Sequence, residues 1–170
     1  IFRTLYAFEP LTAFVCAATC KKLHRSADPI ACAPVSVMHV SSEFPWHFDE
    51  NDVTLTLLVQ QADEGGEFEF CPHLRTEGDE NLDGVNAVLN GDRQEVCISR
   101  LAPGDLQIFY GHHSLHRVTG VRGLRPRFLF APAWCDVPGF VNTVARSTKS
   151  YGRALAVHYE RALVEGRQAL

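Results

Sequence analysis

Residues 53–61 read Val-Thr-Leu-Thr-Leu-Leu-Val-Gln-Gln, and this alternation restricts the fold more than any other stretch. In an extended chain, side chains at i and i+2 share a face. Val53, Leu55, Leu57 and Val59 therefore point one way, and Thr54 and Thr56 the other. The threonines read as ordinary solvent-facing residues of a strand with one apolar face. "ADEGG" then turns the chain, with Gly65 and Gly66 serving the turn, and "EFEFCP" returns as a second alternating run.

The same pattern recurs. "VSVMHV" (35–40), "EVCISRL" (95–101), "LQIFYG" (106–111) and "RFLFAPAW" (127–134) are strand-like, and "SSEFPW" and "APGD" read as turns. Pro132 inside the last run demotes it to an edge or a bulge. Helical spacing predicts a helix over 11–24, a short one over 79–92 ending at Asn90-Gly91, and an amphipathic one in the tail around 151–166. Many short strands with helices mainly at the ends predict a mainly β chain, a sandwich or barrel with flanking helices. The 170 residues suit one domain over 1–170. The chain starts at Ile1 rather than Met, so truncation at the N-terminus is part of that expectation.

A net charge of −4 without a basic run argues against a nucleic-acid or anionic-membrane partner. No apolar stretch approaches the ~20 residues of a membrane helix, and no secretory signal is legible at the start. The six cysteines form no C-x-x-C pair. They read as buried free thiols of a reducing, cytoplasmic environment, with Cys16 and Cys20 as the alternative redox or zinc pair. Oligomeric state leaves no trace in the sequence.

"WHFDEND" (46–52) sets a histidine and an aspartate two residues apart. On an extended segment His47 and Asp49 face one side, with Phe48 turned to the apolar core. Imidazole and carboxylate together suit Fe(II), Mn(II) or Zn(II). A third ligand must come from elsewhere, and His116 in "SLHRV", 67 residues on (116 − 49), is the best candidate. His112 and His113 compete for that place. His24, His39, His73 and His158 read as structural or exposed. Two histidines and one carboxylate on one face of an octahedral ion leave positions free for an oxo-acid and O₂. The far carboxylate of such an acid needs a cation, and arginine grips it at two points. Arg125 and Arg127 follow His116, and alternation puts both on one strand face, with Arg127 favoured. Glu50 and Asn51 are candidates to hold a substrate ammonium group. Trp46 reads as a packed core residue, with a wall of the pocket as the alternative.

The pattern H-x-D, distal H-R-V and following R-P-R-F resembles the Fe(II)/2-oxoglutarate-dependent dioxygenases. "WHFDENDVTLTLLVQQADEGGEFEF", "APGDLQIFYGHHSLHRVTGVRG" and "YGRAL" are similar to a bacterial branch of hydroxylases and halogenases acting on amino-acid-like small molecules. The resemblance implies a double-stranded β-helix core, of the jelly-roll or cupin-like kind. It implies Fe(II) on His47, Asp49 and His116, and 2-oxoglutarate with its C5 carboxylate on Arg127 or Arg125. It allows a hydrogen bond to the oxo-acid from Thr54 or Thr56. Halogenating relatives carry Gly or Ala in place of the carboxylate ligand, so Asp49 favours hydroxylation of an aliphatic C–H, with O₂ consumed and succinate and CO₂ released. The rival expectations are a jelly-roll module that binds a ligand without turnover and a cupin-type metalloenzyme, whose H-x-H pattern this chain lacks.

Overall fold

The computed structural model describes residues 1–49, 51 and 53–168. The chain divides into two compact units, Val35–Ala131 and the two chain ends, Ile1–Pro34 with Pro132–Leu170. Among the described residues, no helix is long and apolar enough to cross a membrane.

In the unit of chain ends, α1 (Phe2–Tyr6) and α2 (Glu9–Thr19) are followed by β1 (His24–Arg25). Pro10 lies in the first turn of α2, where its missing N–H costs nothing. The helix stops at Cys20 in the left-handed conformation, before Lys21 and Lys22, so it is shorter than its apolar spacing suggests. Asp28 anchors the loop after β1. Its Oδ1 accepts the backbone N–H groups of Ile30 and Ala31 (2.8 Å each), and its Oδ2 accepts the backbone N–H of Asn142 at 3.0 Å and meets the His158 ring at Nε2, 3.1 Å away.

Val35–Ala131 holds β2 (Val35–Met38), β3 (Phe44–His47), β4 (Thr54–Gln60), β5 (Phe68–Cys71), α3 (Leu82–Leu89), β6 (Cys97–Ser99), β7 (Leu106–Phe109), β8 (Leu115–Val118) and β9 (Arg127–Phe130). β10 (Trp134–Cys135), α4 (Val144–Tyr151) and α5 (Ala156–Gln168) return to the first unit, where β10 pairs with β1. The central strands form two four-stranded antiparallel sheets, in the orders β2-β9-β4-β7 and β3-β8-β5-β6. Successive strands from β2 to β5 alternate between the sheets, as do β6 to β9. That is the double wrapping of a jelly roll, as the strand pattern and the resemblance predict.

Three local expectations need correction. "SSEFPW" is not only a turn, because Phe44–His47 is a strand. It lies at the edge of its sheet, where Pro45 removes no needed ladder bond. Pro132 does not make its strand an edge. β9 is interior to its sheet, and the proline falls after it, between β9 and β10. The threonines of β4 do not face solvent. Thr54 lies opposite Phe109 and Thr56 opposite Gln107, so they share the face on which Phe109 packs against Phe68 of the other sheet, 4.9 Å between ring centres. Leu55 on the other face is also buried, so polarity alone does not distinguish inside from outside here.

Met38, Phe68 and Val118 are buried between the sheets, with Phe70 and Phe109 against them. α3 covers the back of the second sheet, where Val88, Leu115 and Cys71 form a buried cluster with Trp46 and Phe48. All six cysteines are free. Cys71 is buried, Cys20 and Cys97 are exposed and the others lie between, so burial holds for only some of them.

Candidate metal centre

β3 runs antiparallel to β8 with His47 directly opposite His116, and the two rings are 4.2 Å apart. An irregularity in register between Phe44 and His47 gives β3 one extra residue there. Such bulges re-aim side chains beside functional sites. Two residues on, Asp49 shares the inward side with His47, while Trp46 and Phe48 pack in the cluster beneath α3. The Arg75 guanidinium covers the Phe48 ring at 3.9 Å, and Arg117 lies 4.9 Å from the centre of Trp46. The aromatic residues flanking His47 thus hold the strand's back against the core, and Trp46 is a packed residue there.

Asp49 Oδ1 stands 3.6 Å from His47 Nε2 and 3.5 Å from His116 Nε2. His47, Asp49 and His116 are the one group of three metal-ligating residues found among the described residues, with ligand atoms all within 4.8 Å of one another. Each imidazole is fixed from behind. His47 Nδ1 lies 2.7 Å from the Pro45 carbonyl and His116 Nδ1 2.8 Å from that of Ser114. A carbonyl can only accept, so Nδ1 carries a proton, and Nε2 is the nitrogen turned to the centre. Asp49 Oδ2 accepts the Thr54 hydroxyl at 2.5 Å, leaving Oδ1 for the same point. Burial pushes the Asp49 carboxyl up, but hydrogen bonds from His116 and Thr54 and the nearby imidazoles outweigh it, so it lies below its ordinary value. The donor types therefore fit a divalent ion: two imidazole nitrogens and a carboxylate oxygen. His116 is buried, Asp49 is partly buried and His47 is the most exposed of the three.

His112 and His113 are outside this group. His112 Nδ1 lies 3.1 Å from the backbone oxygen of Asp49, and His113 packs edge-on against the His112 ring. Asn51 is exposed, and Glu50 lies outside the described residues. His158 is wholly buried on Asp28, as a structural histidine.

The two arginines part company. Arg125 precedes β9, lies on the surface and pairs with Asp63 at 3.4 Å. Its expected place on the same strand face as Arg127 is corrected by Pro126, after which the strand begins. Arg127 opens β9 opposite Met38 and is 4% exposed. Its guanidinium meets the Met38 sulfur at 3.8 Å, and among the described residues no carboxylate pairs with it. Burial alone lowers its basicity.

Several supporting residues carry no sequence signal of their own. Gly111 is one, since a Cβ there would collide with Asp49. Its carbonyl also accepts the Asp49 N–H at 3.0 Å. Gly66 is another. It has a φ of +70°, as a turn glycine does, but an added Cβ would also come within 2.8 Å of Arg127 Cδ. Arg75, which braces Phe48 and donates to the His112 carbonyl at 2.7 Å, is a third. Thr54, read from the sequence as a strand residue or a donor to the oxo-acid, donates instead to Asp49.

No protein-family model matches the chain, and no curated protein is similar to it in sequence. Solved structures do match, 22 chains in all. One is AviO1 from Streptomyces viridochromogenes Tue57, with a TM-score of 0.59 and 16% identity over 79% of this chain. The match spans only 60% of the AviO1 chain. At that identity the likeness is one of fold: this chain shares with AviO1 its mainly antiparallel β architecture.

Proposed function

We propose that the chain is a non-haem Fe(II)- and 2-oxoglutarate-dependent oxygenase that hydroxylates an aliphatic C–H of a small amino-acid-like metabolite. The observation that carries this reading is the pairing of two features inside one jelly roll. Two imidazole Nε2 atoms and one carboxylate oxygen converge, and a buried arginine with no carboxylate partner among the described residues opens β9.

His47, Asp49 and His116 would hold the ion from one side, leaving positions for other ligands. Bound there with 2-oxoglutarate and O₂, iron supplies the oxidising power that no side chain has, with succinate and CO₂ as co-products. The rest is done by this chain's residues. The carbonyls of Pro45 and Ser114 keep the imidazoles in the ligating tautomer. Thr54 orients the carboxylate. Arg127 supplies a planar two-point grip for the far carboxylate of the oxo-acid, at a depth where such a bond is strong. Phe68 and Phe109, each packed against the His116 ring, keep water from the buried side of the centre. Asp49 would supply the carboxylate ligand that halogenating relatives lack, which favours hydroxylation. The amino-acid-like substrate rests on the sequence resemblance, with Asn51 and Glu50 as candidates for its ammonium group.

The test is anaerobic titration with Fe(II) and 2-oxoglutarate, followed by a succinate screen over amino acids. A visible charge-transfer band on adding both, and succinate release that needs Fe(II) and O₂ and disappears in His47→Ala, is the expected result. Metal binding without any response to 2-oxoglutarate would transfer the site to another metalloenzyme class. Ligand binding without turnover would make the chain a binding module.

A further inference from the structure

The turn between β7 and β8, residues 110–114, meets two of the three candidate ligands. The Gly111 carbonyl accepts the Asp49 N–H at 3.0 Å, and His112 Nδ1 lies 3.1 Å from the Asp49 carbonyl. A carbonyl only accepts, so that nitrogen donates, and both backbone groups of Asp49 are bound to the turn. At the turn's other end, the Ser114 carbonyl meets His116 Nδ1 at 2.8 Å. The turn is itself gripped by the loop after β5. The His73 N–H donates to Ser114 Oγ at 3.3 Å, and the Arg75 N–H to the His113 carbonyl at 3.2 Å. The Arg75 side chain adds a bond from Nε to the His112 carbonyl at 2.7 Å. Its guanidinium also covers, at 3.9 Å, the ring of Phe48, the residue before Asp49. Nη1 pairs with Glu80 at 3.1 Å, but that glutamate is 66% exposed and such a pair holds little. The bond to His112 and the cover over Phe48 are therefore the contacts that fix this side chain.

We infer that Arg75 is a positioning residue for the metal centre, acting through the 110–114 turn and Phe48. One guanidinium joins the segment that carries Asp49 to the turn that aligns both Asp49 and His116, so the two ligands are set together. Without it, the His112 carbonyl loses a charge-assisted donor, Phe48 loses its cover, and the turn is free to shift. The carboxylate and one imidazole then move relative to His47, whose own support, the Pro45 carbonyl, is on β3 and untouched. The inference rests on the metal-centre part of the oxygenase reading and not on 2-oxoglutarate. Arg93 is the comparison. It too flanks an aromatic neighbour of His47, 5.6 Å from the centre of Trp46, but it pairs with Glu69 at 3.0 Å, away from the turn.

The experiment is a competition titration of the metal-free protein with Mn(II), with the visible spectrum of bound Co(II) and urea melts as further readouts. Arg75→Met should weaken Mn(II) about 10–100-fold, as loss of an orienting contact does, and should shift the Co(II) bands because the ligand geometry changes. Arg75→Lys keeps the charge and a donor but not the flat cover over Phe48, so it should recover part of the affinity and of the spectrum. Arg93→Met should cost stability in urea while keeping the parent's Mn(II) affinity and Co(II) bands. Unchanged affinity and bands in Arg75→Met, or in Arg75→Lys where only that variant folds, overturn the inference. So does an equal effect in Arg93→Met, which would make the loss one of general stability. A parent protein that binds neither Mn(II) nor Co(II) overturns the metal-centre reading itself, and the inference with it.

Discussion

Asp49 is held through both carboxylate oxygens and through its backbone. Thr54 binds Oδ2, the two imidazoles face Oδ1, and Gly111 and His112 meet the main chain. Such orienting contacts are worth a measurable share of metal affinity. Thr54→Val keeps the shape and removes the hydroxyl, and should weaken Mn(II) or Fe(II) binding by about 10–100-fold in a competition titration. The cost to folding, read from urea melts, should be only about 1 kcal/mol. A second residue-scale prediction separates two roles of glycine. Gly66→Ala combines a strained φ of +70° with a clash on Arg127, whereas Gly91→Ala, at φ +102°, meets no atom within 4 Å. Each should lose about 1–3 kcal/mol of stability to backbone strain. On the oxygenase reading, only Gly66→Ala should also weaken 2-oxoglutarate binding, since only it meets the Arg127 side chain.

At the scale of elements, β3 and β8 frame the candidate metal centre, and α3 packs against that frame from behind. Asn81 starts α3 by accepting the Gly84 N–H at 3.2 Å, and the helix presents Val85 and Val88 to Leu115 and Cys71. Leu115 is next to the candidate ligand His116 and 2% exposed. Leu115→Ala should cost about 2–5 kcal/mol in chemical denaturation, because the neighbours collapse only partly onto the hole. It should also weaken the metal at a distance, by freeing β8 to shift against β3. An intact metal affinity in the destabilised variant would show that the β3–β8 pairing needs no support from α3. Glu69 adds a polar brace on the same back face, accepting from Arg117 at 2.7 Å and Arg93 at 3.0 Å while both cations flank Trp46.

At the scale of the whole molecule, acid should weaken the unit of chain ends through one buried carboxyl. Asp28 is fully buried in the unit of chain ends. Burial pushes its carboxyl up, but hydrogen bonds from the N–H groups of Ala31, Asn142 and Ile30 and from His158 prevail, so its folded value lies below the ordinary one. A lowered carboxyl stabilises the fold above its unfolded value, and that contribution disappears as pH falls through the folded value. Melting of this unit should therefore weaken on acidification below about pH 4. Its tryptophan, Trp134, reports it once Trp46→Phe removes the other of the chain's two tryptophans. In Asp28→Asn the protein should be less stable at neutral pH and its stability less steep in acid. A parallel acid slope in parent and variant would assign the transition to other groups.

What the sequence determined by itself was local in character. The two-residue spacing of His47 and Asp49, the alternation in β4 and the turn at Gly65-Gly66 involve near neighbours, and backbone geometry translates such spacings directly into shared faces or reversals. The choice of His116 and the jelly-roll expectation came from strand pattern and family resemblance together. Only the tertiary structure decided which face of β4 was inward, which arginine was buried, and that "FPWH" was a strand beneath a proline. It alone showed that Gly66 and Gly111 make room for Arg127 and Asp49, and that Asp28 meets His158 across 130 residues (158 − 28). Clearance, burial and counter-charge are set by chain segments far apart in sequence, so no window of neighbouring residues contains them.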